Sequence, residues 1–138
     1  MAFVLDASMV AAWLMPDEQT PETDALLDLL RETPALAPDL LRHEIRSLFL
    51  AAVKRQRVRE SFLPWAMERF NQLPLRHLGP GDDHAVLTLA RVHQLSAYDA
   101  AYLALAVSER AALATLDRKL AAAARRETIA VLGPLADP

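Results

Sequence analysis

Short apolar runs alternate along this chain with longer segments whose apolar residues recur every three or four positions. The first pattern predicts buried strands and the second amphipathic helices. Ala2 to Leu5 is a first strand, and Ser8 to Leu14 a short helix stopped by Pro16. Pro21 to Arg31 is a helix with Pro21 in its first turn, where a missing N–H is harmless. Pro34-Ala35-Leu36-Ala37 is a second strand between prolines. Asp39 to Gln56 is a long helix, with Asp39 as its N-cap. Glu60 to Gln72 is another helix, interrupted near its start by Pro64. Leu75 to Leu78 is a third strand, followed by helices at Asp82 to His93 and Ala97 to Glu109. Ala111 to Thr115 is a fourth strand, Arg118 to Arg125 a helix, and Thr128 to Leu132 a fifth strand. Strands alternating with helices from end to end predict one α/β domain over residues 1–138, its mostly parallel five-stranded sheet flanked by helices.

Four acids break this pattern. Asp6 ends the apolar run Phe3-Val4-Leu5. Glu44 falls between Leu40 and Leu48, four residues from each, on the apolar face of the long helix. A lone carboxylate there needs an Arg partner or a metal, because burying it unpaired costs several kcal/mol, roughly. Asp99 opens the apolar run Ala100 to Val107, and Asp117 follows the fourth strand. Each acid also has a plain structural role available. Asp6 or Ser8 can cap the first helix, and Asp117 can favour the positive end of the last. Ser96-Ala97-Tyr98-Asp99 has the spacing of a capping box, with Asp99 reaching back to Ser96. Ligands of open parallel sheets gather outside the carboxyl ends of the strands. Asp6 and Asp117 lie just past strand ends, and Glu44 and Asp99 near helix starts, so all four can meet at that edge.

Composition narrows the chemistry. The chain has 138 residues, 53 % of them apolar, enough for a packed core. It has no cysteine, which removes disulfides and thiolate metal sites. There is no basic-then-apolar leader and no run of 18 apolar residues, so neither a signal peptide nor a membrane span is expected. The net charge of -3 gives no general grip on nucleic acid, so any such contact is local. His43, His77, His84 and His93 lack ligand spacing, and no dinucleotide fingerprint, Walker loop or H-E-x-x-H occurs. A phosphoacceptor receiver domain wants an acidic pair after its first strand, where Asp6 stands alone. Asp82-Asp83 is better taken as a helix start than as a metal pair. What remains is an all-oxygen carboxylate set, which suits Mg²⁺ or Mn²⁺. One or two such ions relieve the repulsion among the acids, activate water and stabilise a leaving phosphate oxygen, so no Ser or Cys nucleophile is required. Ser8 and Thr115 are neighbouring hydroxyls able to support such a site. Arg42, Arg46, Lys54, Arg55, Arg57 and Arg59 crowd one helix and its exit, either as a solvated face or as a track for phosphates. Trp13, Trp65, Tyr98 and Tyr102 are expected in the core or at an interface rather than as platforms for bases.

These segments resemble a known family in order and spacing. Val4-Leu5-Asp6-Ala7-Ser8 resembles the opening strand of a PIN domain, and residues 38–45, Pro-Asp-Leu-Leu-Arg-His-Glu-Ile, its second acidic motif. Residues 96–106, from Ser96 through Tyr98-Asp99-Ala100-Ala101-Tyr102 to Ala106, match best, and Thr115-Leu116-Asp117 resembles the fourth motif. The small size is similar to that of VapC-type toxins of toxin–antitoxin pairs. The resemblance implies a cytoplasmic Mg²⁺- or Mn²⁺-dependent endoribonuclease, a homodimer, silenced by a cognate antitoxin protein. It implies Asp6, Glu44 and Asp99 as metal ligands and catalytic residues. Asp117 completes the set directly or through water, with Ser8 and Thr115 in support. One departure is Ser47, where many relatives carry Asn three residues after the helix Glu. Two other outcomes share the fold: a catalytically silent RNA- or protein-binding module, and a DNA-directed nuclease.

Overall fold

The computed structural model describes residues 2–136. Its five strands are β1 (Phe3–Leu5), β2 (Ala35–Ala37), β3 (Leu75–His77), β4 (Ala112–Ala114) and β5 (Val131–Leu132). They form one sheet in the order β3-β2-β1-β4-β5, and every pairing is parallel. Seven α-helices flank it among the described residues: α1 (Ala7–Leu14), α2 (Pro21–Leu29), α3 (Leu40–Lys54), α4 (Phe62–Gln72), α5 (Asp83–His93), α6 (Ala97–Glu109) and α7 (Arg118–Arg126). The expected single α/β domain is therefore present, with a wholly rather than mostly parallel sheet.

The strands are short and buried on both faces at the centre. Every residue of β1 and β2 is buried, as fits a parallel sheet covered on two sides. Val4 pairs with Leu36 on one side and Leu113 on the other, so β1 is the central strand. The chain leaves β1 for β2 and β3 on one side, then returns to β4 and β5 on the other. The carboxyl ends of β1 and β4 thus flank the point where strand order reverses, the usual ligand crevice of open α/β sheets.

Helix α6 packs against both of those strands and carries Ala100, Ala101, Tyr102, Leu103, Ala104 and Ala106 into the core. Its small residues let it lie close to the sheet. Helix α1 packs against α2 and α3, and the Trp13 Nε1–H donates to the Thr23 carbonyl at 2.7 Å. Thr20 caps α2 in a reciprocal box with Thr23, and Pro21 occupies its first turn. Gly133 has φ +99°, a backbone conformation that favours glycine, and a Cβ there would come within 3.1 Å of Met9 Cε, crowding that flexible side chain.

Two local expectations are corrected. Asp39 stands before α3 but its carboxylate does not cap it. It accepts the Gly79 N–H at 3.0 Å, while the Asp39 N–H donates to the Gly79 carbonyl at 2.9 Å, tying the exits of β2 and β3 together. Pro64 does not interrupt α4, because it sits in the first turn, where no intrahelical donor is lost.

Candidate active site

The site is built from strand exits and helix starts. Asp6 leaves β1 with extended backbone and caps α1, its Oδ1 accepting the Met9 N–H at 3.2 Å. Ser8, the rival for that cap, instead donates to Asp6 Oδ1 at 2.6 Å and accepts the Leu116 N–H at 2.9 Å. Thr115 leaves β4, donates to Asp6 Oδ2 and accepts the Asp117 N–H at 3.0 Å. Two hydroxyls therefore stitch the ends of β1 and β4 together around one carboxylate. Asp117 caps α7 through the Leu120 N–H at 3.0 Å.

Glu44 and Asp99 come from the flanking helices. Glu44 is half-buried on the second turn of α3, and its protein partner is not an Arg. Tyr102 of α6 donates its hydroxyl to Glu44 Oε1 at 2.6 Å. The Tyr102 side chain is otherwise buried, with 1 % of the residue exposed. On α6 the cap is made by Ser96, whose hydroxyl oxygen accepts the Asp99 N–H at 3.1 Å. The reciprocal bond from the Ser96 N–H to Asp99 is missing among the described residues. The capping box is thus half formed, and the Asp99 carboxylate is not consumed by it.

The four acids are linked pairwise through their charges. Burial pushes Asp6 up to about 6; the Ser8, Thr115 and Met9 hydrogen bonds hold it down, and Asp117 adds to the rise. Burial also raises Glu44, against the Tyr102 bond and with help from Asp99. Asp99 is raised by burial and by Asp117, and lowered by the Ser96 hydroxyl and Lys119. The chain of repulsion Glu44–Asp99–Asp117–Asp6 is continuous. Tyr102 titrates well above the ordinary phenol range because of burial, then the Glu44 bond and charge, then Asp6 and Asp99.

These donors suit a hard divalent cation in kind: all are oxygens, and their charges are uncompensated by any Lys or Arg ion pair among the described residues. Glu44 Oε2 and Asp117 Oδ2 accept no hydrogen bond among the described residues, so they are free to ligate. The acids are not drawn into a closed cage, however. Among the described residues no three His, Cys, Asp or Glu side chains stand close enough together to hold a metal ion. Mutual repulsion favours that open arrangement, and a cation is what would draw the oxygens inward.

Beside Glu44 lies an open cleft of about 460 Å³ lined by Ala7, His43, Glu44, Ser47, Leu48 and Tyr98. Of the two places expected for Tyr98, core or interface, the core is excluded: 65 % of it is exposed. It stands in the first turn of α6, ahead of the inward-facing positions. Tyr102 and this cleft are the features that sequence reasoning missed. The spacing Asp99 to Tyr102, i to i+3 on one helix face, was the available signal. The predicted basic track is partly committed elsewhere. Arg42 lies over the Phe70 ring and donates to Asn71 Oδ1 at 2.9 Å, and Arg57 pairs with Asp17 and Glu18. Arg46, Lys54, Arg55 and Arg59 are exposed and form no ion pair among the described residues. His93 is buried, with Nε2 2.7 Å from Glu127 Oε2.

Residues 3–126 match the PIN domain family. The chain belongs to that family. This PIN domain is 32 % identical over 125 residues to Ribonuclease VapC3 of Pyrobaculum aerophilum, covering 88 % of the chain and 93 % of that protein. It is thus a distant homologue of the VapC toxins. Its fold is shared by a Pyrobaculum aerophilum protein of solved structure, with TM-score 0.70 and 22 % identity over 89 % of this chain and 79 % of that one. VapBC2 from Rickettsia felis, solved bound to a DNA fragment from its promoter, gives TM-score 0.63 and 12 % identity, with 95 % and 97 % of the two chains covered. FitAcB from Neisseria gonorrhoeae gives 0.56 and 22 %, with coverages of 97 % and 98 %.

Proposed function

We propose that this PIN domain is a divalent-metal-dependent endoribonuclease, the toxin of a VapBC-type pair. The observation that carries the reading is the electrostatically linked set Asp6, Glu44, Asp99 and Asp117 at the β1/β4 edge of a chain homologous to a VapC ribonuclease. Those four side chains would hold Mg²⁺ or Mn²⁺. A bound ion supplies Lewis-acid polarisation of the phosphoryl group and lowers the pKa of water.

The chain's own residues orient and exclude. Ser8 and Thr115 fix both oxygens of Asp6, so its carboxylate cannot rotate away from the crevice. Tyr102 pins one oxygen of Glu44 and leaves the other without a hydrogen bond among the described residues. Asp117 and Asp99 are steadied by the first turns of α7 and α6. With an ion bound, the attacking water would already be acidified and could lose its proton to solvent, so none of the four would need to act as the base. The same reading includes a homodimer, a cytoplasmic setting and a cognate antitoxin that silences the site. Among the described residues no helix is long and apolar enough to cross a membrane.

End-mapping of total cellular RNA after incubation with antitoxin-free protein tests this. Mg²⁺, Mn²⁺ and chelator conditions are compared, with Asp99→Asn alongside. New ends that require metal and vanish in the variant are expected. Folded, metal-binding protein that leaves RNA unchanged would instead mark a silent binding module, or a DNA-directed nuclease if DNA is cut.

A further inference from the structure

The cleft beside Glu44 has the features of a binding place for one unpaired base. Tyr98 immediately precedes Asp99 in the first turn of α6, which the Ser96 cap holds in place. The residue is 65 % exposed, on a helix whose other tyrosine, Tyr102, is buried. A single exposed aromatic is unremarkable on its own. This one lines a concavity that has Glu44, a member of the acid set, as another wall. Whatever fills the cleft therefore lies against the crevice. Its volume of about 460 Å³ is within the range of roughly 300–1,000 Å³ in which small ligands are held.

The lining chemistry selects the occupant. Ala7 and Leu48 supply apolar surface, Tyr98 a π-face, and His43 and Ser47, one turn apart on α3, supply polar edge groups. An apolar side chain from a protein partner would leave the imidazole and hydroxyl unused. A nucleobase uses all three kinds of surface, with a π-face to stack and a polar edge to hydrogen-bond. A base within a duplex cannot present its face to a concave wall, so the nucleotide must be unpaired.

We infer that Tyr98, His43 and Ser47 form a nucleobase subsite that seats an unpaired nucleotide next to the scissile phosphate. This deepens the nuclease reading and rests on it for the word scissile; the stacking itself does not depend on turnover.

Binding of a randomised single-stranded RNA 20-mer tests it, measured in Mg²⁺ in an Asp6→Asn background that silences turnover. Tyr98→Phe and Tyr98→Trp should bind within about twofold of the parent. Tyr98→Leu and Tyr98→Ala should weaken binding by about 5- to 150-fold, the range for losing one stacked base. A blunt RNA duplex of the same length should show no dependence on residue 98. Equal binding by the Leu and Tyr forms, an equal effect on duplex, or no RNA binding by the parent overturns the subsite; the first would leave Tyr98 facing a protein partner. Cleavage by the native-site chain is scored separately. Aromatic-dependent binding without cleavage sinks the nuclease reading and keeps the subsite. Cleavage with a KM unaffected by Tyr98→Leu does the reverse.

Discussion

Asp6 is the acid whose environment is most out of balance. It is buried between two strand ends, and three donors do not bring it back to an ordinary carboxylate pKa. A folded-state value near 6 against 3.8 means that the metal-free native state binds the proton more tightly than the unfolded chain. Its contribution to stability is therefore full below pH 4 and declines as pH rises to about 6. The loss is on the order of 3 kcal/mol at neutral pH. In chelator, Asp6→Asn should melt higher than the native sequence at pH 7.5, and the gap should close by pH 4. Identical melting curves at both values would contradict the electrostatic account. Tyr102 makes a second residue-scale case. Tyr102→Phe removes the one hydrogen bond found on Glu44, which should raise that carboxylate further and shift half-activation to higher Mg²⁺. Stability should fall by about 1 kcal/mol, since the lost bond has a charged but half-exposed acceptor. A Mg²⁺ titration of cleavage together with denaturant melts separates this from simple unfolding.

At the scale of elements, two of the acids, Asp6 and Asp117, double as helix caps, and Ser96 caps the helix that carries Asp99. Asp6, Ser96 and Asp117 each satisfy an N-terminal backbone donor, so the turn that stabilises the helix also aims the site. Ser96→Ala should cost about 1 kcal/mol by denaturant melts and lower cleavage by more than the unfolded fraction explains, while Ser96→Thr restores both. Activity that follows the folded fraction alone would show that the cap does not position Asp99. The same doubling explains what the sequence left ambiguous. A carboxylate after a short apolar run looks alike whether it caps, ligates or does both. Four strands were visible as apolar runs, whereas β3 is Leu-Arg-His; at two or three residues none carries an alternation that sets its partners, so neighbours and direction came only from the βα order. Asp39 was misassigned because its partner, Gly79, lies 40 residues away and no local pattern announces it. Tyr98 and Tyr102 look equivalent in sequence and four residues apart share a helix face, yet Tyr98 in the first turn is exposed and Tyr102 one turn on is buried against Glu44.

For the whole molecule, the sheet topology gathers like charges at one edge while the rest of the fold holds them there. A chain of net charge -3 with four linked acids at the β1/β4 exits should be strained when metal-free and relieved by a divalent cation. Binding only the native state stabilises it by about 2.7 kcal/mol at a hundredfold excess over Kd. For a domain of this size that is a rise in Tm on the order of 10 °C. Thermal melts in Mg²⁺ or Mn²⁺ should show this increase, while NaCl at equal ionic strength should give much less, because screening acts weakly on partly buried charges. Asp99→Asn with Asp117→Asn should blunt the divalent effect, since those two carboxylates connect Glu44 to Asp6 along the chain of repulsion. A shift that NaCl reproduces in full, or that survives undiminished in the double variant, would mean that cations act on the general surface and that the four acids do not work as one site.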